Sequence, residues 1–141
     1  MRKIEFRGRA TVNNKHLGIK VGDWVFGSYI ESGCDVPCII FGDGVQVEID
    51  KESLGQFTGL IDENGIEIFE GDILEVCIDG EIRPNHVVKW SDWACGYDIE
   101  VEGCEYTHTT LAWARECNYY EYKVIGTIHQ NPEIMEVNCD S

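Results

Sequence analysis

Apolar and polar residues alternate over short runs that end at glycine-bearing turns, a pattern of strands rather than helices. Ile4-Glu5-Phe6-Arg7 alternates and stops at Gly8, and Trp24–Ile30 is rich in aromatic and β-branched residues, which suit a pleated, half-buried surface. Cys38–Phe41 and Val45–Ile49 flank Gly42-Asp43-Gly44 and predict a hairpin. In its second strand Val45, Val47 and Ile49 are expected to face inward, and Gln46, Glu48 and Asp50 outward. Asp62-Glu63-Asn64-Gly65, between Phe57–Ile61 and Ile66–Phe69, predicts a second hairpin, because Asn-Gly tolerates positive φ. Asp79-Gly80 predicts a third, joining Ile73–Ile78 to Ile82–Trp90, with Pro84 forcing a bulge or an edge position.

Tyr97–Glu102 alternates strictly, so Asp98, Glu100 and Glu102 are expected in a row on one face of a strand. Tyr120–His129 predicts a long strand bent at Gly126, and Thr110–Cys117 is the one modest helix candidate before a short helical tail after Asn131-Pro132. Many short strands at this spacing suit a mainly β protein of antiparallel sheets with at most one or two short helices. A faint internal echo runs through the chain: Val21-Gly22-Asp23-Trp24-Val25 and Glu70-Gly71-Asp72-Ile73-Leu74 lie 49 positions apart. Glycine supplies the tight turn and aspartate an acceptor for a local backbone N–H as a strand begins.

Charge changes the picture. The 141 residues carry 26 acidic and 11 basic side chains, a formal net charge of −15. Residues 1–53 hold seven basic against eight acidic groups, whereas 54–141 hold four against eighteen, a net of −14. Such a chain repels phosphate backbones, so nucleic acid and polybasic membrane docking are not expected. No apolar run approaches the ~18 residues of a spanning helix, and no signal-like stretch opens the chain. A cytoplasmic protein with reduced thiols is the expectation. The seven cysteines, an odd number, include no Cys-x-x-Cys pair; Cys34-x-x-x-Cys38 and the loose set Cys95, Cys104 and Cys117 are poor zinc spacing, so no metal and no cofactor are expected. Cys77 is expected to behave as a small core hydrophobe.

The stretch Gly55-Gln56-Phe57-Thr58-Gly59-Leu60, the turn Asp62-Glu63-Asn64-Gly65, and then Ile68-Phe69-Glu70-Gly71-Asp72-Ile73 resemble the signature of the YopX family, small proteins of phages and prophages of Gram-positive bacteria. Phe6-Arg7-Gly8 with Trp24-Val25-Phe26-Gly27 resembles the family's opening, and Val124-Ile125-Gly126-Thr127-Ile128-His129-Gln130-Asn131-Pro132-Glu133 its close. What the resemblance implies is architecture: an N-terminal β region over residues 1–55, then an SH3-like small barrel over 56–141 that carries an inserted aromatic and cysteine-rich segment at about 90–120. The family has no established activity, so the resemblance hands over no catalytic residue. The segment Trp90–Cys117 matches no family element.

Chemistry read from the residues themselves is sparse. Gly55, Gly59, Gly65 and Gly71 are followed by no Gly-Lys-Ser/Thr and fit turns rather than a phosphate cradle. Side chains at i and i+2 of a strand stand ~7 Å apart, wide for Asp98, Glu100 and Glu102 to share one cation. Eight tryptophans and tyrosines fall within Trp90–Tyr122, a density that suits an interface as well as a core. A non-enzymatic accessory protein that acts through protein–protein contacts and self-association is therefore the expected function, with Trp90, Trp93, Trp113, Tyr119, Asp98, Glu100 and Glu102 as its candidate surface. Two alternatives stay open: an acidic decoy for a host DNA-binding protein, and a nucleic-acid-associated barrel using the basic start Arg2, Lys3, Arg7 and Arg9.

Overall fold

A computed structural model describes residues 3–32, 36–42, 44–92, 95–100, 109–111 and 120–136. The chain forms two compact units, Met1–Phe57 and Thr58–Ser141. Both are built from antiparallel strands, as the alternating pattern predicts.

The first unit contains β1 (Phe6–Ala10), β2 (Trp24–Ser32), β3 (Val36–Phe41) and most of β4 (Val45–Ile61). The long strands divide their pairing. Trp24–Gly27 of β2 lies on β1, while Ser28–Ser32 lies on β3. In β4, Val45–Glu48 lies on β3 and Ile49–Gln56 on β1. The pairing thus runs from β1 through β2, β3 and β4 and returns to β1, giving each of the four strands at least two neighbours. Gly27 sits where β2 changes partner, and a Cβ there would overlap the Ile40 carbonyl oxygen. Where β1 and β4 slip register between Arg7 and Arg9, Ser53 Oγ accepts the Arg9 N–H at 2.8 Å and donates to the Asp50 carbonyl at 2.6 Å. Ala10, Val25, Ile39, Val47 and Ile49 fill the core. Val45, expected inside, is 37% exposed, because the first residue after the turn projects beyond the reach of the core.

The second unit takes the end of β4, then β5 (Glu67–Phe69), β6 (Asp72–Ile78), β7 (Glu81–Ile82), β8 (His86–Ser91), β9 (Gly96–Glu100), β10 (Thr109–Thr110), β11 (Tyr120–Thr127) and a 3₁₀ turn at Pro132–Glu136. Its larger sheet is ordered β10-β9-β8-β6-β11, with β7 on β6. Among the described residues this path does not return on itself. Ile68, Leu74, Val76, Val88, Ile99, Leu111 and Tyr122 make the core. Asp79 and Gly80 both adopt positive φ (52° and 82°), which matches the right-handed twist of the flanking strands. At Pro84 the returning strand breaks into β7 and β8, since proline donates no ladder hydrogen bond. A register shift between Val124 and Gly126 bends β11. Cys77, expected in the core, is only half-buried; Cys38 is buried and Cys95 exposed, and all three are free thiols. Of the helix candidate Thr110–Cys117, Thr110 belongs to β10 and Leu111 is buried, while residues 112–117 lie outside the described residues.

Aspartates organise the strand ends. The Gly-Asp echo is a shared device: Gly22 (φ 93°) and Gly71 (φ 87°) turn the chain, and each donates its N–H to a neighbouring strand, at the Ala10 and Val88 carbonyls. The following aspartate then accepts the N–H three residues back, Lys20 on Asp23 Oδ2 (2.9 Å) and Phe69 on Asp72 Oδ2 (2.8 Å). Asp62 does more. Its Oδ1 accepts the N–H groups of Asn64 (2.8 Å) and Ile66 (2.9 Å), and its Oδ2 accepts that of Val124 (2.9 Å), so one buried carboxylate closes the β4–β5 hairpin and ties it to β11.

Replacing Asp62 with Ala orphans three backbone donors, and each buried unmet donor costs about 1–3 kcal/mol, partly relieved by water. A loss of roughly 2–4 kcal/mol is expected by denaturant titration, and a change within about 0.5 kcal/mol would refute that role for the carboxylate. Gly65 has φ 80° and open space around its Cα. Gly65→Val should therefore cost about 1–3 kcal/mol through backbone strain alone, and Gly65→Asn markedly less. Equal melting midpoints for the valine and asparagine variants would contradict this.

Candidate interaction surface

Trp90 lies directly opposite Tyr97 across the β8–β9 ladder. Their rings meet edge to face, with centroids 5.2 Å apart and planes at 78°, the geometry that the aromatic quadrupole favours. The Trp90 Nε1–H donates to Asp92 Oδ1 at 2.8 Å. The indole is thus fixed by a neighbour at its side and an acceptor at its tip, yet it remains 49% exposed. Of the predicted surface residues it alone is both described and exposed.

The carboxylate row is not borne out at Asp98. That residue is 8% exposed and its neighbour Ile99 is fully buried; successive strand residues point to opposite faces, so both faces of β9 are covered at this point. Alternation along such a strand no longer reports which face meets water. The side chain of Glu100 and residues Glu102, Trp93, Trp113 and Tyr119 lie outside the described residues.

The basic start is used locally. Arg7 is buried and places its guanidinium 4.3 Å from the centre of the Trp24 ring. Arg9 donates from Nε to the Gly22 carbonyl (3.1 Å), and Lys3 pairs with Glu5 (3.0 Å). Arg2 lies outside the described residues. A shallow, open pocket of ≈ 200 Å³ lies in the second unit, lined by Ile61, Asp62, Glu63 and Tyr120–Tyr122. Asp62, its most buried acid, has both oxygens occupied by backbone N–H groups. No group of three or more metal-ligating side chains occurs among the described residues. No helix among them is long and apolar enough to cross a membrane.

Apart from the Gly22-Asp23 echo, the sequence pattern assigned no role to the stretch between β1 and β2. Residues 11–23 lack periodicity, but an apolar residue in a turn that has no strand to cover it is itself a signal, and Val12, Leu17 and Val21 all stand exposed there.

His86, at the start of β8, is buried, and burial lowers its pKa below the usual 6.5, opposed in part by a backbone hydrogen bond with Pro84. Its Nδ1 makes no side-chain hydrogen bond of good geometry among the described residues. With its pKa lowered on folding, the unfolded chain takes up the proton first, so this residue's contribution is intact above pH 6.5 and is lost as pH falls below it. Thermal melts at about pH 7.5 and about pH 5.5 should show less acid sensitivity in His86→Asn than in the parent protein. Identical sensitivity in the two would oppose the assignment.

Residues 10–136 match the YopX protein family. No curated protein matches the chain. The fold is similar to that of protein EF1440 from Enterococcus faecalis, a crystal structure with a TM-score of 0.52 and 24% identity that covers 96% of this chain and 99% of that one. The chain belongs to the YopX protein family.

Proposed function

We propose that this protein is a non-enzymatic accessory protein of a phage or prophage, working in the host cytoplasm through protein–protein contacts that include contacts with copies of itself. The observation that carries this reading is Trp90, half-exposed but held in one orientation by Tyr97 and Asp92. An indole that is already ordered loses little conformational entropy when a partner covers it, which is why preorganised aromatic anchors dominate binding surfaces. The residues that match the family signature support the same reading, because those with described polar contacts spend them on backbone groups. Thr58 Oγ1 donates to the Ile68 carbonyl (2.8 Å) and accepts the Leu60 N–H (3.2 Å), and Asp62 and Asp72 act as described above.

Light scattering at micromolar concentration tests the proposal. An oligomer that persists in added salt is expected, since buried aromatic area outlasts screened charge, and Trp90→Ala should shift it toward the 16.0 kDa chain. A parent protein that scatters as a clean monomer would overturn the self-association.

A further inference from the structure

The loop at residues 11–23 is tied down along its length. Asn14 and Ile19 exchange backbone hydrogen bonds (2.8 and 2.9 Å), Asn14 Oδ1 accepts the Leu17 N–H (3.2 Å), and Asn13 Oδ1 accepts the Val21 N–H (3.0 Å). At its base, Thr11 and Ala10 donate to the Glu48 and Asp23 carbonyls (3.0 and 2.9 Å). On this ordered frame Val12, Leu17 and Val21 are exposed, Val21 to 60%. Single exposed apolar residues are ordinary, but three on one fixed loop form a feature a partner can cover.

The same loop carries Lys15 and Lys20, neither of which has an ion-pair partner among the described residues. The other described lysines and arginines are each engaged within the chain. Exposed apolar groups beside two uncommitted cations fit an acidic surface with an apolar centre. Asp92 beside Trp90 supplies a carboxylate, residues 54–141 carry a net charge of −14, and the exposed indole supplies the apolar centre. Ammonium groups are attracted to an indole face as well as to carboxylates.

We infer that the loop at residues 11–23 of one copy docks on the Trp90 face of a second copy. Val12, Leu17 and Val21 cover the indole, while Lys15 and Lys20 meet Asp92 and the excess negative charge of that unit. The contact is heterologous, joining two different surfaces. It rests on the self-association proposed above and names the surface that meets Trp90.

Sedimentation of the full chain and two variants, each first shown to melt cooperatively, tests the inference. K15E/K20E and W90A should each weaken association by about tenfold or more. A one-to-one mixture of the two should regain a heterodimer at a concentration where each alone is monomeric, because each contributes one intact surface. If K15E/K20E associates like the parent while W90A does not, self-association stands and the inference fails. It fails equally if the mixture regains nothing. A parent protein that is monomeric throughout removes the underlying proposal itself. A labelled oligonucleotide of about 20 nucleotides that binds the parent but not K15E/K20E, with association unchanged, would overturn the inference by assigning the loop to nucleic acid.

Discussion

Short strands create many chain ends, and every end strands backbone N–H groups that must find acceptors once water is excluded. This protein meets that constraint with aspartate carboxylates. Asp23 and Asp72 each take the N–H three residues back as a strand begins, and Asp62 takes three, the last from Val124, 62 positions away in sequence. A carboxylate suits the task better than a neutral acceptor, because charge-assisted bonds are shorter and stronger and two oxygens can serve several donors at once. The hairpin of β4 and β5 is thereby joined to β11 by a side chain, beside one backbone bond from the Glu63 N–H to the Tyr122 carbonyl (3.3 Å).

That use of aspartate bears on function. A polar residue saturated by backbone groups has little left to offer a substrate. Thr58, Asp62 and Asp72, all within the family signature, are committed in this way. Asn131, within the family's closing element, accepts the Thr127 N–H at 3.3 Å and returns its own N–H to the Thr127 carbonyl at 2.8 Å. In these residues, likeness to the family is likeness of architecture.

Local features were legible in the sequence and distant ones were not. The Asn64-Gly65 and Asp79-Gly80 turns could be read because each depends on two residues whose conformational preferences are their own. The Gly-Asp echo could be read for the same reason, although only the hydrogen bonds show that both copies do the same work. The return of β4 onto β1 was not legible, because it pairs Phe6 with Gln56 and no periodicity within either strand encodes that partner. Asp98 failed differently. Alternation tells inside from outside only when one face is solvated, and at Asp98 and Ile99, which point to opposite faces, β9 is buried on both. Asp62 gave no warning of its third bond, since Val124 is its neighbour only in the folded chain.

The charge distribution constrains how copies can meet. At −15 overall, two molecules repel at long range, and any association must find a local contact strong enough to overcome that. A symmetric contact of one Trp90 face with another would set acidic unit against acidic unit, and like charges brought together in an interface cost several kcal/mol, on the order of the whole gain from one aromatic anchor. A contact that brings the Lys15 and Lys20 loop to that face reverses the sign of the interaction without giving up the indole. Screening over ~8 Å at physiological salt confines the benefit to groups that nearly touch. The order of the loop matters for that reason: lysines on a frame fixed by Asn13, Asn14 and Asp23 approach a partner with little of the backbone entropy still to lose.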